Sequence, residues 1–223
     1  MQLSVVIPVY NEEKFITRCL ESMTNQEEKA DEIVVVDNNC TDKTVELAKK
    51  FPVRIVQEKV QGMIAARNRG FNEAKYEIIA RVDADVMVPS NWIKIIKADF
   101  QKENIDGLTG PIIFYDLFLP STIYAEIYFF FMWLVQFGKD ALVGPNMVIT
   151  KNIWQKIKSD VCLNDKLVHE DIDLGIHIHK FKGRIKHDRN LVVKASGRRI
   201  AKNPLSFFVE YPIRAVKTFL IHY

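Results

Sequence analysis

Acidic and polar side chains stand directly after three apolar runs of this sequence. They are Tyr10, Asn11 and Glu12 after the first run, Asp37, Asn38 and Asn39 after the second, and Asp83 and Asp85, on either side of Ala84, after the third. At the carboxyl ends of parallel strands such side chains meet on one rim, where they can accept hydrogen bonds from a base and ribose and can ligate a hard cation. Two carboxylates about 5 Å apart repel by roughly 3 kcal/mol at an effective dielectric near 20. An isolated D-x-D is more typical of a solvated turn, but its position after a buried strand favours a divalent metal ion that relieves this repulsion.

The sequence lacks the two common phosphate-binding loops. Neither G-x-x-x-x-G-K-[ST] nor a G-x-G-x-x-G after the first strand occurs. The segment 62–70, GMIAARNRG, predicts instead the start of a helix with Arg67 and Arg69 near the sheet edge. A guanidinium there could pair with a diphosphate, although either arginine alone is more typical of a surface position.

Alternating strand and helix patterns position these side chains. Near-continuous apolar runs rich in Val and Ile predict strands buried on both faces, and apolar residues at helical spacing predict the helices between them. The predicted strands cover residues 3–9, 32–36, 53–56, 76–82, 106–115, 141–150 and 184–193, and the predicted helices include 12–23 and 170–181. Such alternation implies right-handed crossovers, and so an α/β fold with a mostly parallel central sheet and helices on both faces.

Composition limits the class of protein. With 48% hydrophobic and 26% charged residues, the chain is neither disordered, nor collagen-like, nor a polytopic membrane protein, and its 223 residues suit one domain. Three widely spaced cysteines without a C-x-x-C pair indicate a reducing compartment. The first ten residues, MQLSVVIPVY, lack the basic start and long apolar region of a signal peptide, so we expect a cytoplasmic protein.

Two segments suggest contact with a membrane surface. Residues 117–137 are the most apolar stretch, but their longest uninterrupted apolar run is nine residues, against the roughly 20 of a spanning helix. Residues 180–223 carry eleven Lys or Arg against two acids, about +9, and an amphipathic helix is predicted from residues 203–204 onward. Each segment suits either packing on the domain core or contact with lipid, and the basic tail favours an anionic leaflet.

Six segments of the chain resemble the inverting glycosyltransferases of family 2, whose fold is called GT-A. They are, in order, VVIPVYNEE, VVVDNNCTDKT, GMIAARNRG, DAD, GPNMVITKNIW and HEDIDL. Each motif alone is weak, but six in register make chance similarity a poor explanation. The resemblance implies a single GT-A domain over residues 1–223, with a nucleotide-binding part at 1–115, an acceptor and catalytic-base part at 116–200, and a basic amphipathic tail at 201–223.

The resemblance also implies roles for individual residues. Pro8, Tyr10 and Glu12 would line the nucleotide pocket, Asp37 would bind the base, Asp83 would lie near the ribose, Arg67 would lie near the diphosphate, and Asp85 would bind Mg²⁺ or Mn²⁺. Asp171 would be the general base, and Glu170 would help to position the acceptor or the base. Both lie in the first turn of a predicted helix, whose dipole keeps carboxylates ionised. Without the upstream motifs they would be ordinary acids at a helix start.

The implied reaction is transfer of a sugar from a nucleoside-diphosphate sugar to an acceptor hydroxyl with inversion. UDP is preferred over GDP only by its frequency in the family, and a glycan or a lipid-linked acceptor of cell-envelope or polysaccharide biosynthesis is expected at the inner face of the membrane. Many members carry a metal-binding His near the end of the strand after HEDIDL, where this sequence has Ala195. His187 and His169 are the alternative ligands, although a lone His is more often structural.

Three other functions fit parts of the sequence. A sugar-phosphate nucleotidyltransferase would need a Gly-rich, Arg-bearing loop after the first strand, where PVYNEE has no glycine. A non-catalytic nucleotide-sugar-binding or membrane-complex subunit is left open by the missing His. A nucleic-acid binder would explain the basic tail, but the tail lacks a recognition motif, so no nucleic-acid partner is expected.

Overall fold

The computed structural model describes residues 1–117, 121–135, 138–202 and 211–222. Its strands are β1 (Leu3–Val9), β2 (Glu32–Asp37), β3 (Arg54–Gln57), β4 (Ile78–Arg81), β5 (Gly107–Thr109), β6 (Ile112–Phe114), β7 (Met147–Thr150), β8 (Ile185–His187) and β9 (Val193–Ala195). Its helices are α1 (Ile16–Thr24), α2 (Thr44–Ala48), α3 (Met63–Glu73), α4 (Trp92–Lys102), α5 (Ser121–Val135), α6 (Lys151–Ile157), α7 (Glu170–Lys180), α8 (Arg198–Lys202) and α9 (Tyr211–His222). A 3₁₀ turn, Gly144–Asn146, precedes β7.

The main sheet has the strand order β3-β2-β1-β4-β7-β5-β8. Strands β1 to β4 run parallel, as do β5 and β8. Strand β7 runs antiparallel to both of its neighbours. The predicted α/β class with a mostly parallel sheet is therefore confirmed.

Helices cover both faces of this sheet, because alternate residues of β1 point into different apolar clusters. Leu3, Val5 and Ile7 pack with residues of α1 and α4, whereas Val6 packs with residues of α3, α6 and α7. Strand β1 thus has no solvent face, as its continuous apolar run predicts.

Two predicted strands are each divided between two sheets. Residues 106–115 form β5 in the main sheet and β6 in a smaller sheet with β9, and residues 184–193 divide into β8 and the start of β9. The first break falls at Gly110, where an added Cβ would lie 2.2 Å from the carbonyl oxygen of Leu191. Predicting single strands is wrong here because this close crossing is a tertiary contact without a local signal. Of residues 141–150, likewise, only Met147–Thr150 form a strand.

Helices α5 and α9 pack against the first half of α7. Met132 of α5 and Phe219 of α9 contact a small cluster that contains Ile172 and Ile176. No helix among the described residues is long and apolar enough to cross a bilayer. The helix start expected at residues 203–204 lies outside the described part of the chain.

Candidate active site

A cleft of about 360 Å³ opens at the carboxyl ends of β1 and β4. Its lining includes five of the predicted site residues: Pro8, Tyr10, Glu12, Asp83 and Asp85. Tyr10 is 51% exposed, so its ring is open to a ligand. Asp37, the last residue of β2, pairs in register with Val9 of the cleft wall. Its Oδ1 accepts a hydrogen bond from the Cys40 N–H at 2.8 Å.

Asn38, one of the polar residues that follow the second apolar run, fixes one wall of the cleft. Its side-chain amide donates to the carbonyls of Glu58 and Val60 at 3.0 and 2.7 Å, and its Oδ1 accepts from the Gly62 N–H at 2.9 Å. Gly62 has a φ of 153°, in the region that favours glycine. One buried amide therefore holds the loop before α3, and the signal in the sequence is an Asn directly after a strand.

Arg198 of α8 lies against two acidic residues of the cleft. Its Nε is 3.1 Å from Oδ2 of Asp85, and its Nη2 bonds to Oε1 of Glu12. Strand β9 brings α8 to this place, because Lys194 pairs with Met87 just after the aspartate pair. Oε2 of Glu12 is buried without a hydrogen-bond partner among the described residues. The cleft therefore presents hard oxygen donors, which suit a divalent cation, and a guanidinium already neutralises them.

Arg81, at the end of β4, joins the aspartate pair to the HEDIDL segment. Its Nη2 donates to Oδ1 of Asp83 at 2.7 Å, and its Nη1 donates to Oε1 of Glu170. Arg81 is only 1% exposed. Burial alone would lower its pKa, but the charges of Glu170 and Asp83 hold the pKa of Arg81 above its usual value. Sequence reasoning missed this residue, although an arginine that ends an apolar strand signals a buried charge in need of a partner.

Arg67 lies in α3 with its side chain fully buried. Its Nη1 donates to the carbonyl and to Oε2 of Glu170, both at 2.7 Å, and its Nε and Nη2 donate to Oδ1 of Asn68 at 3.0 and 2.8 Å. Among the described residues that line the cleft, Arg67, which is expected near the diphosphate, is not found. The physical reason is that the buried guanidinium of Arg67 needs an anionic partner, and the partly exposed carboxylate of Glu170 supplies one to both Arg67 and Arg81.

Asp171 follows Glu170 in the first turn of α7, and its carboxylate is buried. Its Oδ2 accepts from the Gly144 N–H at 2.9 Å, and its Oδ1 accepts from the Ile172 N–H at 2.9 Å and lies 3.3 Å from Nδ1 of His169. Burial alone would raise the pKa of Asp171, but His169 and these N–H groups lower it to about 2. The carboxylate is therefore ionised at neutral pH, and the GPN and HEDIDL motifs meet at this side chain.

The two histidines considered as metal ligands have other neighbours. His187 stacks on Phe129 of α5, with ring centroids 3.8 Å apart. His169 faces Asp171, as described above. Ala195, which the family resemblance led us to expect at the position of a metal-binding His, ends β9 and is buried. Among the residues that line the cleft, oxygen donors are thus the ligands offered to a cation.

An open α/β sheet with an acidic cleft at the carboxyl ends of its strands defines a domain of the nucleotide-binding class. The family model of Glycosyl transferase family 2 matches residues 4–155, and the chain belongs to this family. Glycosyltransferase GlyG of Streptococcus pneumoniae serotype 4 is 34% identical over 120 residues, which are 51% of this chain and 40% of that protein. The chain therefore spans less than half the length of this relative.

Solved glycosyltransferase structures share the fold. Glucosyl-3-phosphoglycerate synthase from Mycobacterium tuberculosis, in complex with Mn²⁺, UDP and glucosyl-3-phosphoglycerate, superposes with a TM-score of 0.72 over 99% of this chain and 79% of that one, at 17% identity. S. aureus TarS in complex with UDP-GlcNAc gives a TM-score of 0.70 over 89% of this chain and 59% of that one, at 20% identity. The predicted GT-A fold is therefore confirmed.

Proposed function

We propose that this domain transfers a sugar from a nucleoside-diphosphate sugar to an acceptor hydroxyl with inversion at the anomeric carbon. The observation that carries the proposal is the chain of ion pairs from Asp83 through Arg81 to Glu170, which connects the acidic cleft to the neighbour of Asp171. One buried framework would then hold both the donor and the base. The acceptor oxygen, deprotonated by Asp171, would attack the anomeric carbon opposite the leaving nucleoside diphosphate, so no covalent intermediate is needed.

The nucleotide would occupy the cleft. Pro8, Tyr10 and Glu12 would form its wall, Asp37 would accept a hydrogen bond from the base, and Asp83 would accept one from the ribose. UDP is the preferred nucleotide, in keeping with the UDP and UDP-GlcNAc bound by the two solved relatives.

Asp85 would hold Mg²⁺ or Mn²⁺. The unpartnered Oε2 of Glu12 in the same cleft supports this assignment, because a second hard oxygen would otherwise stay unsatisfied. When bound, the ion would neutralise charge on the leaving diphosphate. Mn²⁺ is present in the complex of glucosyl-3-phosphoglycerate synthase.

Arg198 would take the diphosphate-binding role that the sequence suggests for Arg67. Its side chain is 23% exposed in the cleft, whereas that of Arg67 is 0% exposed. A guanidinium binds phosphate oxygens with two parallel hydrogen bonds, so Arg198 could turn from Asp85 to the diphosphate. Arg67 would instead be a positioning residue that holds Glu170.

Asp171 would act as the base because it is ionised and stands next to Glu170. A carboxylate with a pKa of about 2 is a weak base, and His169 is the strongest of the contacts that lower this pKa. An acceptor hydroxyl that replaces His169 at Oδ1 would therefore meet a more basic carboxylate. General-base catalysis of this kind contributes about 10²- to 10⁴-fold in rate.

The acceptor, a glycan or a lipid-linked sugar, would approach near α5 and α9, which pack against the helix that carries Asp171. Both helices expose large apolar side chains: Ile127, Phe130, Phe131 and Leu134 on α5, and Ile213, Val216, Leu220 and Ile221 on α9. Exposed apolar groups beside Lys217 suit the headgroup region of an anionic membrane. We therefore propose peripheral contact with the inner face of a membrane.

The test is release of nucleoside diphosphate from a panel of nucleotide sugars with Mn²⁺ or Mg²⁺. We expect one donor to be hydrolysed or transferred by the wild-type chain and by Asp160→Asn, which changes an exposed acid outside the site. Asp171→Asn should turn over the same donor more slowly by about 10²-fold or more. Donor binding without turnover would favour the non-catalytic subunit instead.

A further inference from the structure

A second cluster of metal-ligating side chains lies between α7 and α9, away from the cleft. Asp173 and His177 are one turn apart on α7, and His222 ends α9. One ligand atom from each lies within 4.8 Å of the other two. The three side chains are 0%, 7% and 8% exposed. A carboxylate and two imidazoles are therefore enclosed together where the last described helix meets the domain.

His177 has an unsatisfied atom in this cluster. Its Nε2 is buried without a hydrogen-bond partner among the described residues, and it lies 3.6 Å from Oδ1 of Asp173. Nε2 of His222 is 2.7 Å from the same oxygen. A buried polar atom without a partner costs about 1–3 kcal/mol, so its retention calls for an explanation.

Asp173 is oriented as metal-ligating carboxylates usually are. Its Oδ2 accepts a hydrogen bond from the Cys162 N–H at 3.0 Å, which leaves Oδ1 directed at the imidazoles. Burial alone would raise the pKa of Asp173, but His177, His222 and the Cys162 N–H hold it below its usual range. The hydrogen bond from the Cys162 N–H therefore holds the carboxylate in place before any ion arrives.

We propose that Asp173, His177 and His222 form a Zn²⁺ site that ties α9 to α7. Two imidazole nitrogens and one carboxylate oxygen suit Zn²⁺, whereas Mg²⁺ and Ca²⁺ prefer oxygen ligands throughout. Zinc bonds of about 2.0–2.2 Å place tetrahedral ligand atoms roughly 3.4 Å apart. This separation lies between the 2.7 and 3.6 Å at which Nε2 of His222 and of His177 stand from Oδ1 of Asp173. A water molecule would complete the coordination.

Zinc binding requires one proton to leave Nε2 of His222. In the structure Nδ1 of His222 lies 3.2 Å from Nζ of Lys180. An ammonium group only donates, so Nδ1 accepts and Nε2 carries the proton that is donated to Asp173. When the ion takes Nε2, this proton moves to Nδ1 or to water, and the exposed Lys180 side chain turns into solvent. His177 would bind the ion through its Nε2, which lies 3.6 Å from the same oxygen of Asp173.

The experiment uses the tag-free full chain carrying Asp85→Asn, so that the cleft does not contribute a second site. After treatment with a chelator, Zn²⁺ alone is titrated by calorimetry, bound zinc is counted by elemental analysis, and the melting temperature is measured. We expect one zinc per chain and a higher melting temperature. Mutation of a residue that only hydrogen-bonds to a metal ligand typically costs about 10–100-fold in metal affinity. Loss of a ligand itself, in His177→Gln or His222→Gln, should therefore weaken zinc binding by ~100-fold or more.

His179→Gln is the matched control, because His179 lies on the same helix with its Nε2 on the carbonyl of Asp140. It should bind zinc as the parent does. If His177→Gln does not fold, His222→Gln, at the end of a helix, still decides the question, and the visible absorption bands of bound Co²⁺ give a second readout. The absence of stoichiometric zinc in the parent, or unchanged affinity in His222→Gln, would overturn the proposal. The site does not depend on sugar transfer, so either result leaves the proposed function to its own test.

Discussion

Nε of Arg198 lies 3.1 Å from Oδ2 of Asp85. A guanidinium from the C-terminal part of the chain therefore forms an ion pair with the carboxylate that the sequence predicts to be a metal ligand. A divalent ion at Asp85 and the Arg198 guanidinium would compete for the same oxygen. Donor diphosphate offers Arg198 a second anionic partner. We therefore expect the Arg198 guanidinium to move away from Asp85 when the sugar donor and the metal ion enter the cleft together.

Arg198→Gln is expected to separate these two effects. Without nucleotide it should bind Mn²⁺ about tenfold more tightly than wild type, since a charged hydrogen bond of ~1.5 kcal/mol no longer competes. It should also bind UDP more weakly in the presence of Mn²⁺. Calorimetry measures both affinities, with Arg189→Gln as the control, because Arg189 has a side chain that is 79% exposed.

Asp85→Asn should lose metal-dependent UDP binding altogether. An unchanged Mn²⁺ affinity in that variant would show that Asp85 is not the metal ligand.

Asp171→Asn keeps the shape of the side chain and removes its charge. We expect turnover to fall by about 10² or more, while donor affinity stays within a few fold, because the residue would act on the acceptor and not on the nucleotide. Single-turnover rates and donor titrations measure the two quantities separately. Near-normal turnover would move the base elsewhere, with Glu170 as the first candidate.

Arg81 is expected to matter for stability more than any surface arginine. Arg81→Gln removes the guanidinium from Asp83 and leaves Glu170 with Arg67 alone, so we expect a loss near the lower end of the roughly 3–5 kcal/mol that removing one partner of a buried ion pair costs. Arg69→Gln breaks only the exposed pair with Glu73, for which about 0–1 kcal/mol is usual. Urea denaturation measures both free energies of unfolding. Equal losses in the two variants would contradict the framework role of Arg81.

The first half of the fold is predictable because its signals are local. Strands β1, β2 and β4 are buried on both faces, so each appears in the sequence as a near-continuous apolar run. The second half is not predictable in the same way. Whether residues 106–115 continue as one strand depends on how closely Gly110 approaches Leu191, which only the tertiary structure decides.

The candidate site divides along the same line. Tyr10 follows β1 directly and Asp85 comes shortly after the end of β4, so sequence reasoning places both at the cleft. The partners of Glu170 come from far away: Arg81 is 89 positions distant and Arg67 is 103. No rule of sequence spacing links such pairs. The sequence therefore shows which side chains are charged, but it does not predict which of them form ion pairs.

His187 is expected to make the protein less stable in acid. Burial lowers its pKa below the ordinary value, although Glu126 opposes this effect. The unfolded chain then takes up a proton more readily than the folded chain, so stability is highest above about pH 6.5 and falls as the pH drops from there through the folded-state pKa. His187→Phe should keep the stack on Phe129 without titrating. The difference in unfolding free energy between this variant and wild type should grow in favour of the variant from pH 7 to pH 5, and a constant difference would contradict the assignment.

Membrane contact is expected to depend on the exposed apolar side chains of α5 and α9. Phe130 and Leu220 are 61% and 77% exposed, so changing both to Ser removes apolar surface without opening the core. Sedimentation with anionic liposomes at low salt should recover the wild-type chain in the pellet and leave Phe130→Ser/Leu220→Ser in solution, because insertion of apolar groups and attraction of basic groups both contribute to binding. Leu163→Ser is the control, since Leu163 is 76% exposed in a loop that belongs to neither helix.

These point changes are preferable to ending the chain at Lys202, because that truncation would also remove the 2.8 Å hydrogen bond from the His169 N–H to Thr218 beside the proposed base. Equal pelleting of the double variant and wild type, or no pelleting of wild type, would show that α5 and α9 do not bind lipid.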